Sequence, residues 1–164
     1  MNKIDVQERI ISTPIGFLCL QAKDGKIIAI FPCEKEEKEI NKERNPLLDD
    51  AERQLQEYFA NKRTQFTFPF ELIGTSFQKE VWNALGEIPY GKTCSYQEIA
   101  VKINHPKACR AVGGAIHRNP LLIIVPCHRV IGKKGDLVGF GYGLNMKKTL
   151  LSLEKSSQKK EIVV

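Results

Sequence analysis

The sequence lacks the long apolar segments that mark membrane and exported proteins. In its 164 residues, no apolar run approaches the roughly 18 that a membrane-spanning helix requires. The opening segment MNKIDVQERI has no apolar core of a secretory signal peptide. Apolar residues make up 42% of the chain and charged residues 27%, which is typical of a globular protein and excludes collagen-like and low-complexity classes. We therefore expect a folded protein that is neither exported nor bound to a membrane.

Paired cysteines and metal-binding spacings are missing as well. The five cysteines include no Cys-x-x-Cys pair, and their odd number argues against a disulfide framework. No histidine precedes His105, and none of the three histidines stands at zinc-finger spacing from a cysteine. We expect most cysteines to be reduced and buried, and we expect no metal site, although a metal held by residues distant in sequence stays an alternative.

Charge is distributed unevenly along the chain. Residues 1–74 hold 11 lysines and arginines against 13 acidic residues, whereas residues 75–164 hold 14 against 6. The net charge is therefore −2 in the first part and +8 in the second. A basic half of this kind is typical of a protein that binds a polyanion, but a solvated basic surface would explain the charge as well.

Short alternating segments near the N-terminus predict a meander of strands. Strand patterns run to about Ser12, resume at about Gly16 and return over residues 26–31. Asp24-Gly25, between the last two segments, is a strong signal for a hairpin turn.

The rest of the first 73 residues adds a helix. Apolar residues at i, i+3, i+7 and i+11 predict an amphipathic helix over 46–62, and alternation over 65–70 predicts a short edge strand. The charge-rich run over 34–45 is interpreted as an exposed loop or a frayed helix. Together these patterns predict an α+β unit.

Helix signals dominate the second half. Thr75 and Gln78 form a capping-box pattern, which predicts that a helix begins there. Ser95 is placed to cap a short helix over 96–102, and a turn separates that helix from another over 107–117. The arrangement is typical of a helix-turn-helix.

The helix predicted over 107–117, KACRAVGGAIH, has unusually small side chains, including Ala108, Gly113 and Gly114. Two glycines inside a helix cost roughly 1 kcal/mol each relative to alanine, a cost that is accepted where something approaches the backbone closely. Either another helix packs on the glycine face, or the helix enters a narrow groove with Arg110 as its long side chain.

Cys127 is the candidate nucleophile. Residues 121–125, LLIIV, predict a short buried strand, and a nucleophile where a strand meets a loop is a common catalytic placement. The neighbouring His128 and Arg129 are potential cations that would favour the thiolate over the thiol. Because adjacent side chains on a strand point to opposite faces, contact between Cys127 and His128 is left open, with a bridging water as one route. The alternative is an inert buried cysteine beside a structural histidine.

A glycine-rich loop and a helix follow. The loop over 132–143 lacks the Gly-Lys-Ser/Thr ending of a phosphate-binding loop, and we interpret it as a flexible pocket wall that carries Phe140 and Tyr142. Residues 144–154 predict a final helix, and residues 155–164 are expected to form a mobile tail.

The motifs of the second half resemble those of one family of DNA repair proteins. In chain order they are Gly74-Thr75-Ser76-Phe77-Gln78, Pro89-Tyr90-Gly91, Ser95-Tyr96, Arg110-Ala111-Val112-Gly113-Gly114, Asn119-Pro120 and Pro126-Cys127-His128-Arg129-Val130. This set closely resembles the methylated-DNA–protein-cysteine methyltransferases, which remove alkyl groups from 6-O-alkylguanine. The resemblance is nearly continuous over 74–154 and looser over 1–73.

The resemblance implies direct, stoichiometric repair of alkylated double-stranded DNA. Cys127 would accept the alkyl group of 6-O-methylguanine permanently, and 4-O-methylthymine is a further candidate substrate. His128 would take the thiol proton through a water, and Glu154 would orient His128. Asn119 would brace the chain near the thiol. Tyr96 would help to push the base out of the helix and would protonate or hydrogen-bond the leaving guanine.

The resemblance also implies a lesion pocket and a DNA-binding surface. The damaged nucleotide would be flipped through the minor groove, and Arg110 would fill the gap in the base stack. The implied DNA-binding residues are Ser95, Tyr96, Lys107, Ala108, Arg110, Gly113 and Gly114. The implied pocket residues are Pro120, Val130, Phe140, Gly141, Tyr142 and Gly143. Carbonyl groups of Cys127 and Val130 would accept the exocyclic amine, and Phe140 replaces a tyrosine that is usual in the family.

For the fold, the resemblance implies an α+β protein. A supporting domain over 1–73, with a small antiparallel sheet and a helix in a ribonuclease H-like arrangement, would pack on a helical, winged-helix-like catalytic domain over 74–154. It further implies a monomer without a cofactor, located in the cytoplasm or, in a prokaryote, at the nucleoid. Two alternatives are a non-catalytic module that binds alkylation lesions and a thiol hydrolase that uses Cys127 and His128. One equivalent of methyl transfer would distinguish the repair reaction from both.

Overall fold

The computed structural model describes residues 5–34, 44–135 and 140–162, with side chains up to residue 156. The chain divides into two compact units, Met1–Ile73 and Gly74–Val164. Most of the charged run over 34–45, and the middle of the glycine-rich loop over 132–143, lie outside the described residues. The α+β class is confirmed, because the first unit is built on a sheet and the second mainly on helices.

The first unit contains a three-stranded antiparallel sheet whose strands follow chain order. They are β1 Gln7–Thr13, β2 Gly16–Lys23 and β3 Lys26–Cys33. Asp24 and Gly25 both have positive φ, at 51° and 76°, as a two-residue type I′ turn requires. The predicted meander is confirmed, and its apolar residues Leu18, Leu20 and Ile30 are completely buried.

The first unit also contains helix α1, Pro46–Phe59. Asn45 caps the helix, because its side chain accepts a hydrogen bond from Leu48 N at 3.0 Å, and the fixed φ of proline suits the first turn. The helix ends before the predicted residue 62. Asn61 adopts the left-handed conformation, with φ of 61°, which is a common way for a helix to terminate.

The edge strand predicted over 65–70 is not formed. Within the described residues, this segment pairs with the sheet only through an isolated parallel bridge between Phe70 and Ile27. Gln54 on α1 occupies the polar groups of Thr67 instead, donating to its Oγ1 at 3.0 Å and accepting from its backbone N at 2.8 Å. Pro69 has no N–H with which to extend a ladder. The segment is therefore held by the helix, and the alternation of its side chains is not enough to make a strand.

The second unit opens with helix α2, Ser76–Gly86. The predicted capping box is confirmed, because Gln78 N donates to Thr75 Oγ1 at 3.1 Å and Thr75 N donates to Gln78 Oε1 at 3.0 Å. Trp82 on this helix is buried, and its ring lies directly against Gly74. A Cβ at Gly74 would lie 2.6 Å from the indole ring, so the close approach requires glycine.

The predicted helix-turn-helix is present as α3, Tyr96–Lys102, and α4, Cys109–His117. Ser95 caps α3, and its Oγ accepts a hydrogen bond from a backbone N–H of the first turn at 3.1 Å. Helix α4 begins later than predicted. The preceding turn first closes on itself with a hydrogen bond from Ala108 N to His105 O at 2.9 Å.

Residues 121–125 form a tight turn, so the prediction of a buried strand is wrong. Val125 N donates back to Leu121 O at 2.9 Å, and Ile123 adopts a positive φ of 75°. Asn119 imposes this turn, because its Oδ1 accepts from Leu121 N at 2.9 Å and its Nδ2 donates to Val125 O at 2.7 Å. The apolar side chains are largely buried all the same, so their hydrophobicity reflects a place in the core.

A single 3-10 turn, Cys127–Arg129, comes next and leads into strand β5, Val130–Ile131. Strand β5 pairs in parallel with β4, Cys94–Ser95, which directly precedes α3. The turn that carries Cys127 is therefore joined by backbone hydrogen bonds to the start of the helix-turn-helix.

The last helix, α5 Leu144–Ile162, continues past the predicted end at Glu154, because the residues that follow include neither glycine nor proline. The tail expected to be mobile over 155–164 is thus helical up to Ile162, and its last two residues lie outside the described residues. Among the helices in the described part of the chain, none is both long and apolar enough to cross a membrane.

Candidate active site

Cys127 is held in a closed, rigid position at the start of the 3-10 turn. Its side chain is 5% exposed, and its backbone N donates to Val125 O at 2.8 Å. Cys127 and His128 lie in this 3-10 turn and not on a strand, so the strand alternation that left their contact open does not apply. Consecutive side chains in a 3-10 turn are separated by roughly 120°, so the two residues do not point to opposite faces.

Two consecutive residues of this turn converge on one carboxylate of α5. His128 Nε2 lies 2.6 Å from Glu154 Oε2. Arg129 donates to both carboxylate oxygens, from Nε at 2.8 Å and from Nη2 at 3.0 Å, and its Nη1 donates to Ile88 O at 2.8 Å. Gly91 N adds a further hydrogen bond to Glu154 Oε1 at 3.2 Å. His128 and Glu154 are almost completely buried, so the network is protected from water.

This network fixes the protonation of His128. Burial alone would raise the pKa of Glu154, but hydrogen bonds from His128 and Arg129, together with their charges, hold it well below its usual range. Burial lowers the pKa of His128 and outweighs the opposing effect of Glu154. A neutral histidine beside an ionised carboxylate carries its proton on Nε2, which leaves Nδ1 as an acceptor. Among the described residues this buried Nδ1 has no hydrogen-bond partner, so it is free to accept a proton.

The thiol of Cys127 is protonated at rest. Burial raises its pKa, and this effect exceeds the lowering by a hydrogen bond from the Asn119 side chain and by the charge of Lys147. Since only the thiolate is a strong nucleophile, the thiol needs a base before it can react. Asn119 therefore contributes twice, because the side chain that shapes the turn at 121–125 also hydrogen-bonds the sulfur.

Two tyrosines lie near the sulfur on different elements. Burial raises the pKa of Tyr96 and of Tyr142, and proximity to Cys127 raises both further. Tyr96, at the start of α3, lies over Gly113 of α4, where a Cβ would be 4.0 Å from its ring. Tyr142 meets Phe140 edge to face, with ring centroids 5.9 Å apart. The predicted residues Tyr96 and Tyr142 are thus both close enough to Cys127 for the charge of its thiolate to affect their pKa.

The other pocket candidates have contacts of their own or are placed by their position in the chain. Gly141 packs closely against His117, and a Cβ at Gly141 would lie 3.1 Å from the imidazole Cε1. The Val130 carbonyl, predicted to accept an exocyclic amine, accepts a hydrogen bond from Lys147 Nζ at 2.5 Å. Two further candidates lie at the ends of neighbouring segments, Pro120 after Asn119 and Gly143 before α5.

The predicted DNA-binding residues lie in two places, Ser95 and Tyr96 at the start of α3 and the others on α4 or just before it. Arg110 and Gly114 are exposed, and a Cβ at Gly114 would meet no atom within 4 Å. Packing of another helix therefore does not account for this glycine. The buried face of α4 is made by Val112, Ala115 and Ile116. The remaining candidates are half-buried or exposed: Ser95, Lys107, Ala108 and Gly113.

Lys147 is a site residue that the sequence analysis did not identify. Its side chain is fully buried, whereas lysine is almost always exposed. Residues 147, 150, 151 and 154 recur at i, i+3, i+4 and i+7, which places Lys147 on the same face of α5 as Leu150 and Glu154. A lysine inside an apolar stripe was the available signal. Arg129 was seen only as a nearby cation, and its pairing with Glu154 could not be read from sequence.

All five cysteines are free thiols, but the expectation that most are buried is wrong. Cys19 and Cys127 are buried, whereas Cys33, Cys94 and Cys109 are half-buried. Within the described residues, no group of three or more His, Cys, Asp or Glu side chains is arranged to hold a metal ion.

A buried cysteine beside a histidine–carboxylate pair, in a unit that contains a helix-turn-helix, defines a thiol protein with a DNA-binding fold. The DNA binding domain of 6-O-methylguanine DNA methyltransferase matches residues 76–156, and the ribonuclease-like domain of the same family matches residues 6–72. The chain belongs to the 6-O-methylguanine DNA methyltransferase family, as its motifs predict.

Similar proteins match the chain over nearly all of its length. A methylated-DNA–protein-cysteine methyltransferase of Mycobacterium leprae is 47% identical over 151 residues, which cover 90% of this chain and 91% of that protein. One from Methanosarcina acetivorans is also 47% identical over 151 residues, covering 90% and 97%. A crystal structure of Mycobacterium tuberculosis OGT in complex with DNA superimposes with a TM-score of 0.83 at 45% identity, covering 93% of this chain and 94% of that chain.

Proposed function

We propose that this protein repairs DNA by transferring the alkyl group of 6-O-methylguanine to its own Cys127, once per molecule, with 4-O-methylthymine as a second candidate substrate. Membership of the methyltransferase family supports the reaction class. The observation that carries the assignment to Cys127 is the adjacent His128, which is bound to Glu154 through Nε2 at 2.6 Å and has its Nδ1 open to a proton.

The first step is activation of the thiol. His128 Nδ1 takes the proton of Cys127 through one water, and Glu154 stabilises the imidazolium that forms. Arg129 keeps Glu154 ionised and fixed, because its fork donates to both carboxylate oxygens. Asn119 holds the turn that precedes Cys127 in one position, which favours a defined line of attack.

The second step is the transfer itself. The Cys127 thiolate attacks the methyl carbon, so that a sulfur–carbon bond forms while the carbon–oxygen bond to guanine breaks. Guanine leaves with the electron pair and takes a proton from the hydroxyl of Tyr96, which is protonated at neutral pH. His128 returns its proton through solvent to Tyr96. The net change is a methyl group in place of the thiol hydrogen.

The lesion must leave the base stack before this attack can occur. Flipping a nucleotide costs a few kcal/mol, and a side chain inserted into the vacated space offsets part of that cost. We assign this insertion to Arg110 on the exposed side of α4, with Ser95, Lys107 and Ala108 beside it. The flipped base would enter a pocket formed by the segments that contain Pro120, Val130 and residues 140–143.

Residues 74–154 would form the catalytic, DNA-binding domain, and residues 1–73 would support it. Because the substrate is part of DNA and the reaction needs a single bound molecule, we assign the protein to the cytoplasm, with access to the nucleoid in a prokaryote, and to a monomeric state.

The test is to incubate the protein with duplex DNA that contains 6-O-methylguanine and to measure the mass of the peptide that contains Cys127. The expected result is one added methyl group on that peptide, no more than one equivalent of repaired guanine per protein, and no transfer in Cys127→Ser. Binding of the lesion without a mass change would establish a lesion-binding module instead. Many turnovers per molecule would contradict permanent transfer.

A further inference from the structure

The second unit contains a cavity that the proposed reaction does not use. Its volume is about 330 Å³, and all of the residues that line it belong to this unit. One wall is a face of α5 formed by residues 148, 151, 152 and 155, which recur at i, i+3, i+4 and i+7. The other walls come from β5, from Gly91 and Thr93, and from Gly135. Small-molecule sites have volumes of roughly 300–1,000 Å³, so the cavity is large enough for a ligand.

The cavity is separate from the site around the thiol. The described residues that line it do not include Cys127, Tyr96 or Tyr142. Glu154 is shared by the two sites, because the carboxylate that binds His128 also borders the cavity. A ligand in the cavity would therefore not occupy the position of the reacting group.

The walls of the cavity are fixed by backbone hydrogen bonds. The turn over 89–92 is closed by a hydrogen bond of 3.0 Å between its two ends, and within it Gly91 N donates to the Glu154 carboxylate at 3.2 Å. The turn over 132–135 is closed in the same way, by a bond of 2.9 Å. Strand β5 is paired with β4. The cavity is thus formed before any ligand arrives, as is usual for small-molecule sites.

Positive charge surrounds the cavity. Lys148 and Lys155 line it, and both side chains are exposed. The two turns that border it contain three more lysines: Lys92, Lys133 and Lys134. Among the described residues, no carboxylate forms an ion pair with any of these lysines. The charge of Glu154 is balanced by Arg129, which donates to both of its oxygens, so the cavity should attract an anion.

The cavity combines hydrogen-bond donors with an apolar surface. The hydroxyls of Thr93 and Ser152 can donate, as can the two lysine ammonium groups. Ile131 and Leu151 provide the apolar surface. Lysine is a common phosphate ligand, and an apolar wall suits an uncharged group attached to the phosphate. A DNA phosphate is flanked by a sugar on each side, whereas the terminal phosphate of a small molecule can enter a cavity of this volume.

We propose that this cavity is a second ligand site of the protein, which binds a small phosphate monoester that carries an apolar group. The phosphate lies between Lys148 and Lys155, and the apolar group packs against Ile131 and Leu151. Binding at this site does not depend on alkyl transfer to Cys127, so the two proposals are tested separately.

The test titrates the protein with phenyl phosphate, which has a phosphate and an apolar ring and is unlike guanine. Lys148→Gln/Lys155→Gln removes the charges of the cavity, and Ser152→Trp fills it. The matched controls are Lys26→Gln/Lys79→Gln, which removes two charges elsewhere, and Thr149→Trp, which is on α5 but outside the cavity. All of the substituted side chains are exposed, so the variants should fold.

Calorimetry of the wild type should show saturable binding of phenyl phosphate. Amide NMR signals of Gly91 and Gly135 should shift, whereas that of Gly114 on α4 should not. Both cavity variants should bind about tenfold more weakly or worse, because they remove charged hydrogen bonds or the space for the ring, and both controls should match the wild type. Phenol and inorganic phosphate, which each have one part of the probe, should also bind about tenfold more weakly or worse.

Absence of saturable binding at millimolar concentrations would overturn the inference, and so would equal affinity in the two lysine double variants. A shift at Gly114 without one at Gly91 or Gly135 would place the probe on α4 and overturn it as well. Fluorescence anisotropy with an unmodified duplex tests DNA as the source of the phosphate, and the two double variants should bind it equally. A loss of duplex affinity confined to Lys148→Gln/Lys155→Gln, in a protein that does not bind phenyl phosphate, would assign these lysines to DNA and reject a small-molecule site.

Discussion

Glu154 shows how a single residue can combine stability with chemistry. Its carboxylate accepts hydrogen bonds from His128, Arg129 and Gly91, and the contacts with His128 and Arg129 are buried. A buried carboxylate of this kind and its charged partners stabilise one another. Removing the Glu154 carboxylate would therefore leave the charge of Arg129 buried and unpaired. The group that orients the proposed base therefore also holds the 3-10 turn to α5.

Replacing Glu154 with glutamine should destabilise the protein by about 3–5 kcal/mol, because the Arg129 guanidinium would stay buried without a counter-charge. Unfolding by urea, followed by circular dichroism, measures the change. Glu80→Gln is the control, since that side chain is 55% exposed and its ion pair with His105 lies on the surface. A loss below about 1 kcal/mol for Glu154→Gln, the level of a surface ion pair, would contradict a structural role for this network.

Acidification should destabilise the folded protein through the same two residues. The pKa of Glu154 lies below its ordinary value of 4.5 and that of His128 below its ordinary value of 6.5, so the unfolded chain binds protons at both groups more readily than the native state. Stability is therefore expected to fall as pH decreases from about 7 to about 3. Urea unfolding across this range should give a shallower pH dependence for Glu154→Gln than for the wild type. Equal slopes would exclude Glu154 as a source of the acid sensitivity.

At the scale of elements, α4 is divided into a packed face and a bare one. Val112, Ala115 and Ile116 make the packed face, and the Trp82 indole N–H donates to Ala115 O at 2.9 Å. The space beside Gly114 is empty, so the protein's own packing does not demand glycine at that position. A narrow exposed helix face is what a helix needs if it is to lie in the minor groove.

Replacing Gly114 with leucine should leave folding intact and weaken DNA binding by about tenfold or more, the equivalent of about 1.4 kcal/mol. A Cβ at this position would meet no protein atom within 4 Å, and a leucine side chain there would separate the helix from the DNA backbone. Thermal unfolding and fluorescence anisotropy with a DNA duplex are the two measurements. Gly86→Leu on α2 is the matched control, because that glycine is also helical, exposed and open. Equal DNA affinity in the two variants would argue against α4 as the DNA-binding helix.

For the whole molecule, the uneven charge sets the conditions under which DNA is bound. The basic second half carries a net charge of +8, and DNA binding by such a surface releases counterions from the phosphates. Affinity should then fall linearly with salt on logarithmic axes, with a slope of about −0.9 for each phosphate contacted. This electrostatic part is independent of sequence, which suits a protein that must find a lesion in any context.

Lys107→Gln should reduce the magnitude of this salt slope by about 1, because one phosphate contact is lost. Anisotropy titrations at several salt concentrations provide the measurement. Lys26→Gln, an exposed residue of the first unit, changes the net charge by the same amount and should leave the slope as it is. A common slope for both variants would assign the effect to net charge alone.

Local signals explain which parts of the fold could be predicted. Thr75 and Gln78 fix the start of α2 through contacts within four residues, so the pattern and the structure agree. Residues 121–125 form a turn and not the predicted strand because the Asn119 side chain hydrogen-bonds the backbone of Leu121 and of Val125. Apolar content predicted burial correctly there, but it could not reveal a competing side-chain contact.

The site could be predicted only in part, for a similar reason. The motif around Cys127 and the resemblance that it carries identify the residues near the thiol. The pairing of Arg129 with Glu154 and the burial of Lys147 depend on the packing of α5 against the 3-10 turn. The pairing of Arg129 with Glu154 joins two segments that are distant in sequence and has no signature in either segment alone, whereas the burial of Lys147 is signalled by its place in an apolar stripe of α5.

The sealed position of Cys127 also has a consequence for molecules that have already reacted. A methyl group fixed on a sulfur that is 5% exposed adds volume at a buried position, and overpacking typically costs about 1–3 kcal/mol. The turn that contains Cys127 leads directly into β5, and β5 is hydrogen-bonded to the strand that leads into α3. We therefore expect the methylated protein to unfold at a lower temperature and to bind DNA less tightly than the unreacted protein. Weaker binding would leave the repaired site accessible to other proteins.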